Sequence, residues 1–390
     1  MIVILSYYLL FLAVTAFSRF LKSEEAQRYF EIIMCFILLF VFFGFRDITI
    51  LNDTPHYYGF YYKLAHYNNY ANSSIFAYNA DDRFEYGYQV FVHFLINYVS
   101  KDPYTIIWVS SLIITIGNLW FINKHTKDVA FTVFTILILG SFYAQYCLIR
   151  QTLAMMVFYI AFTYLERDKT LVYCLLIVLA TLFHYTAIFL LILPLLKKLR
   201  VNVRNVTIML TAAVVLAVLL LSLMAALGLT NNLYFQQMMK RENAPIAAIM
   251  DCMLMAVILL TCLYLHWRLR LKQVDTTYFW TGVFAMCVAI VTIVFLPLFR
   301  INTYLWPVII LQLLRYLSPS YVFKEQALEG IPVGKEWQLR KLFQMAFIVL
   351  LLARSVVTLT FRPEWNHVVP YQFYDFSDSY HNYHLYWDNQ

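Results

Sequence analysis

LVYCLLIVLATLFHYTAIFLLILPLL, residues 171–196, decides how this chain threads a membrane. It contains no Asp, Glu, Lys or Arg, and it ends against Lys197, Lys198, Arg200 and Arg204. As a single crossing it would move that cluster and every later basic cluster outside. The 29 Lys and Arg would then divide 12 inside and 17 outside. As an out-and-back hairpin it gives 19 inside and 10 outside. Basic residues accumulate in cytoplasmic loops, so the hairpin is expected. Each half is then 13 residues, about 20 Å of helix against a hydrocarbon core of about 30 Å. The halves are too short for ordinary spans. A broken or re-entrant pair is expected, with its tip near Phe183-His184-Tyr185.

Working outward, apolar runs recur along all 390 residues, and 62% of the chain is hydrophobic and 13% charged. Soluble domains carry roughly 25% charged residues. The expectation is an all-α polytopic membrane protein with about ten full crossings plus the hairpin. Residues 1–390 then form a single integral membrane domain. The external parts are the loop 46–103 and an aromatic tail, 362–390, with both termini outside. No cleavable-signal pattern opens the chain, because the first basic residues, Arg19 and Lys22, follow the first apolar run. The net charge of +7 reflects orientation, and no nucleic-acid partner is expected. The six cysteines form no C-x-x-C pair and read as small buried hydrophobes.

Ionisable groups at membrane depth are functional candidates. The threading puts Arg46, Asp53, Glu85, Arg150, His184 and Arg300 at one face, the external one. Arg150 and Arg300 open apolar segments, so they sit at outward-facing helix N-termini. An anion is held there by the helix dipole and exposed N–H groups, and guanidinium grips phosphate bidentately. The bland alternative is snorkelling to lipid headgroups. Arg46 has Asp47 beside it as a local partner. Asp53 suits a turn or cap, Glu85 a first-turn carboxylate, and His184 a backbone-bonded histidine. Asp251 has Lys240 and Arg241 nearby. His381-x-x-His384 is weak as a metal pair, and no soluble-enzyme motif or Asp-x-Asp pair is present. The loop and tail are rich in Tyr and Trp, Tyr67, Tyr70, Tyr78, Tyr380, Tyr383, Tyr386 and Trp387 among them. Such rings suit a membrane interface and also suit stacking on sugars.

Gly44-Phe45-Arg46-Asp47, then Asp53-Thr54 and Tyr57, then Glu85-x-Gly87-Tyr88, then Arg150-Gln151-x-x-Ala154, then Phe183-His184-Tyr185-x-Ala187 form an ordered set. Arg300 before Tyr304 and Pro307, and Val369-Pro370-Tyr371 in the tail, extend it. The set resembles the EpsG family of Wzy-type polysaccharide polymerases from about residue 40 to 375. Asn52 departs from the Gly that often precedes the loop Asp in that family.

The resemblance implies a GT-C-like transferase of the bacterial inner membrane acting at its outer face. The donor would be a growing glycan on undecaprenyl pyrophosphate and the acceptor a single lipid-linked repeat unit. A chain-length regulator is an implied partner. No cofactor or metal is expected. Arg150, Arg300 and Arg46 would face the pyrophosphate, and Gln151, Tyr57, Tyr88, Tyr304 and Tyr371 the substrate. Asp53, His184 and Glu85, in that order, are the candidates for proton transfer. A glycan ligase on the same donor and a lipid-linked oligosaccharide transporter are the rival readings. The transporter would need charges reachable from both faces.

Overall fold

The computed structural model describes residues 1–66, 76, 84–227, 244–271, 274–318 and 337–377. The loop and tail aromatics Tyr67, Tyr70, Tyr78, Tyr380, Tyr383, Tyr386 and Trp387, the pair His381 and His384, and Lys240 and Arg241 lie outside them. Within the described residues the chain is helical throughout. Its single β-contact is an isolated bridge between Arg46 and Phe373.

The helices, in chain order, are α1 (Ile2–Ser18), α2 (Glu24–Gly44), α3 (Thr54–His66), α4 (Tyr86–Tyr98), α5 (Thr105–His125), α6 (Val129–Ile138), α7 (Ser141–Cys147), α8 (Ile149–Glu166), α9 (Thr170–Thr181), α10 (Leu193–Lys197), α11 (Val203–Ala226), α12 (Ala244–Arg268), α13 (Thr276–Thr292), α14 (Phe299–Leu317) and α15 (Trp337–Phe361). Six of them, α2, α5, α11, α12, α14 and α15, are long and apolar enough to cross a membrane. The pair α6 and α7, bent by 77° at Gly140, makes a seventh if taken as one span. Gly140 has φ +88, a backbone conformation that Gly adopts without steric cost.

The charge threading expects ten crossings. Its remaining three segments are the helices α1, α8 and α13, of 17, 18 and 17 residues. They lie at the short end of the range that spans a core of about 30 Å, and α8 carries Arg150 in its first turn. Length and apolarity establish a multi-pass helical protein, with six helices, or seven spans if the bent pair is one, long and apolar enough to cross a membrane among the described residues.

Residues 171–196 are broken as the threading expects. Helix α9 stops at Thr181, and a 3-10 helix, Tyr185–Ile192, leads into α10. Lys197 Nζ then donates to the Leu165 carbonyl at 2.6 Å and pairs with Asp168 at 2.6 Å. The end of the stretch thus meets the residues just before its start.

Chain contacts divide the protein into two compact units. The first comprises Met1–Thr163, Leu171–Ile188 and Leu350–Gln390. A buried carboxylate joins three of its helices. Buried Glu31 accepts from Ser18 Oγ at 2.6 Å and from the Ala130 amide at 2.9 Å, which satisfies an orphan N–H at the start of α6. Helices α3 and α4 pack Tyr57, Tyr58, Tyr61, Tyr88 and Val92 into one apolar cluster with Ile106 and Ile149. The tail is bound into this unit. Asp47 N donates to Gln372 O, Tyr374 N to Phe45 O and Leu51 N to His367 O, each at 3.0 Å. Tyr374 stacks on Tyr104 with centroids 3.9 Å apart.

The second unit comprises Tyr164–Thr170 and Phe189–Val349. The Glu166 carboxylate accepts from the Tyr278 hydroxyl at 2.8 Å, and Arg315 lies over the Tyr278 ring at 4.1 Å. Buried Arg340 donates to the carbonyls of Tyr316 and Arg315 at the end of α14. A cation there suits the negative end of the helix dipole.

Candidate active site

Glu85 is the N-cap of α4, yet its side chain makes no capping hydrogen bond. A carboxylate in that place normally accepts an N–H of its own helix. Here the backbone carbonyl of Glu85 takes the Tyr88 and Gln89 amides, and the carboxylate turns away. Oε1 meets His184 Nδ1 at 2.8 Å, and Oε2 accepts from Arg150 Nη1. Glu85 is 3% exposed and His184 6%, so the pair is shielded from water.

His184 reaches this position because α9 ends early. Its amide closes the helix onto Ala180 O, and its ring leaves the helix axis. Arg150 is the second residue of α8, where the helix dipole disfavours a cation. Glu85 offsets that repulsion, and the guanidinium lies 4.7 Å from the Phe84 ring centroid. The Tyr57 hydroxyl is within hydrogen-bonding reach of the same guanidinium.

Burial pushes the Glu85 carboxyl upward. The His184 hydrogen bond and the Arg150 charge outweigh it, and the net effect holds Glu85 below its ordinary value. The carboxylate is therefore ionised at neutral pH. With Nδ1 turned to it, Nε2 is the other ring nitrogen, and it too is buried. The arrangement is an oriented imidazole beside a guanidinium: a proton acceptor next to an anion-stabilising group.

Asp53 lies in the same unit, immediately before α3. It is half-buried, and its carbonyl accepts from Tyr57 N at 3.3 Å. Burial raises the Tyr57 phenol, Arg150 acts against that, and Asp53 adds to it. Tyr57 thus links Asp53 to the Arg150 side of the site. Tyr88 packs against Tyr57 and Phe84 with centroids 5.7 and 5.3 Å away. Its hydroxyl is buried with no hydrogen-bond partner among the described residues. Gln151 follows Arg150 and is buried.

Two expected ligand contacts find other uses. Arg46 is fully buried, and its guanidinium donates to Phe43 O, Tyr146 O, Ser111 Oγ and Thr54 Oγ1. Its donors bind protein carbonyls and hydroxyls, which ties α2 to α3, α5 and α7. Asp47, its expected local partner, accepts instead from Thr49. Tyr371 donates its hydroxyl to Phe42 O and stacks on that ring at 4.2 Å, which docks the tail. Arg300 and Tyr304 belong to the second unit, on the first turns of α14, with Tyr304 buried. Asp251 is half-buried on α12.

Sequence reasoning missed three contributors. Phe84 lies under Arg150. Gly87 was part of a motif without a role. Arg354 interrupts the apolar run of α15 and donates to Leu139 O at 2.6 Å, where α6 breaks. Its signal was plain, a charge inside an apolar stretch.

Among the described residues no group of three or more His, Cys, Asp or Glu is placed to hold a metal ion. The fold and site define a class: a multi-pass helical membrane protein with a buried carboxylate–imidazole–guanidinium cluster. The sequence profile of the EpsG family matches residues 29–373, and the chain belongs to that family. No curated protein and no solved structure matches it.

Proposed function

We propose that this protein is a polysaccharide polymerase that joins lipid-linked oligosaccharide repeat units at the external face of the bacterial inner membrane. Family membership supports the reaction class, since Wzy-type polymerisation is the family's known function. One observation carries the site assignment: Glu85 joins His184 and Arg150 in one shielded cluster.

In this reading the acceptor is a repeat unit on undecaprenyl pyrophosphate. One of its hydroxyl oxygens forms a bond to the anomeric carbon of the growing glycan. The bond from that carbon to the donor pyrophosphate breaks, and its electron pair leaves with undecaprenyl pyrophosphate. The hydroxyl proton passes to His184 Nε2, with Glu85 holding the ring in place. Arg150 stabilises charge developing on the leaving group. Arg300 is a second candidate for that role, and Gln151, Tyr57, Tyr88 and Tyr304 for sugar contacts. Asp53, first as the base in the sequence reading, supports the Tyr57–Arg150 side. Ten crossings, external termini, a single integral membrane domain and a chain-length-regulating partner complete the proposal.

The test is the lipid-linked and surface glycan of a strain lacking the protein, complemented with wild type, His184→Ala or Arg150→Ala. Wild type restores long chains, and both variants accumulate single repeat units at normal protein levels. Full chain length with either variant would overturn the site. Unchanged chain length in the deletion strain would overturn the reaction class.

A further inference from the structure

We propose that Gly87 is a positioning residue whose backbone contact with Leu182 sets Glu85 in register with His184. The inference rests on the reading of that pair as catalytic. Two helices end at this contact, and each has a backbone group without an intrahelical partner. Helix α9 stops at Thr181, so the Leu182 carbonyl lies past its last turn. Gly87 is the second residue of α4, and its amide lies in the orphan set at that helix's start. Gly87 N donates to Leu182 O at 2.7 Å. The two missing bonds of two broken helices are made to each other.

The register follows. Glu85 is two residues before Gly87 and His184 two residues after Leu182. Fixing 87 against 182 leaves each side chain two residues from the clamp, on facing backbones. The Glu85–His184 contact spans 99 positions of sequence, and this bond is the backbone contact adjoining it.

Only glycine fits. A Cβ built on Gly87 would lie 2.8 Å from Leu182 O, 3.0 Å from its carbonyl carbon and 3.1 Å from its Cβ. Two of those atoms are backbone and cannot swing away. Glycine inside a helix is less favourable than alanine, so helix propensity alone would favour Ala here. Close approach of the two backbones accounts for the residue.

The experiment uses the full-length protein in membranes with a lipid-linked repeat unit as substrate. Gly87→Ala is measured alone and in combination with Glu85→Gln. Gly87→Ala should lower kcat by about 10- to 100-fold with KM little changed, as a small misplacement does. On top of Glu85→Gln it should add less than about twofold, because the register has nothing left to position. An independent measurement scores a short thiol cross-link between Glu85→Cys and His184→Cys, per molecule of protein, with Gly87 or Gly87→Ala. Gly87→Ala should lower the yield. The positioning role is overturned by wild-type kcat in Gly87→Ala, by an undiminished loss in the Glu85→Gln background, or by an unchanged cross-link. Wild-type activity in Glu85→Gln and His184→Ala would instead overturn the catalytic reading, and the cross-link would still decide whether Gly87 sets the register.

Discussion

Glu85 and His184 are joined Oε1 to Nδ1 at 2.8 Å although 99 residues separate them. Neither position announces the other. The carboxylate also binds Arg150, so one acid serves an imidazole and a guanidinium at once. Groups that act as a unit give non-additive losses. Glu85→Gln and His184→Ala should each lower polymerisation by about 10²-fold or more, and the double variant should be little worse than the more damaging single. Simple multiplication of the two losses would show that they act separately. The readout is initial rate in membranes at matched protein levels.

The same pair makes stability depend on pH. The folded value of Glu85 lies below its unfolded value. Its stabilisation is therefore complete above the ordinary carboxylate value of about 4.3 and is lost as pH falls below that, through the depressed value. Thermal unfolding of detergent-solubilised wild type and Glu85→Gln should differ most near neutral pH, with wild type the more stable. The gap should narrow as pH falls below about 4.3, through the depressed value of the folded carboxylate. A gap independent of pH would contradict an ionised Glu85 in the folded protein.

Arg46 and Arg150 should fail in different ways. Arg46→Ala removes a buried cation and strands the Phe43 and Tyr146 carbonyls, at a cost of about 3 kcal/mol or more. The expected result is loss of folded protein from the membrane. Arg150→Lys should accumulate normally and turn over poorly, since a point charge does not replace a planar fork. Immunoblot and rate together separate the two.

The tail should matter although it is remote in sequence. Tyr374 is buried and stacked on Tyr104, whose hydroxyl holds Gly44 O and Arg46 O at 2.9 Å. Tyr374→Ala should cost about 2 kcal/mol or more and loosen the loop that leads to Asp53. A lower melting temperature and faster proteolysis between residues 45 and 53 are the expected signs.

Topology has a direct check. Lys197 bonds to Leu165 and Asp168, so reporters fused after Asp168 and after Lys198 should read the same side, the cytoplasmic one. Opposite readings would remove the hairpin.

Sequence alone did not show the helices α3 and α4 inside the expected loop, but it determined the class of the chain, its long apolar segments and the break near Phe183-His184-Tyr185. These depend on local quantities: the length of apolar runs, the sign of loop charges and the point where one run is too long for one crossing. The same reasoning named Glu85, Arg150 and His184, because a charge in an apolar setting is costly wherever it falls. Only the tertiary structure decided what each does. Arg46 and Arg150 read alike as membrane-level arginines, and folding buries one among carbonyls and sets the other against a carboxylate. Asp53 ranks above Glu85 by sequence because a loop acid is ionised without help. In the fold, Glu85 forgoes a capping hydrogen bond and meets His184 and Arg150. Gly87 shows why: its meaning lies in a backbone 95 positions away, and no local pattern carries a contact that exists only after two helices meet.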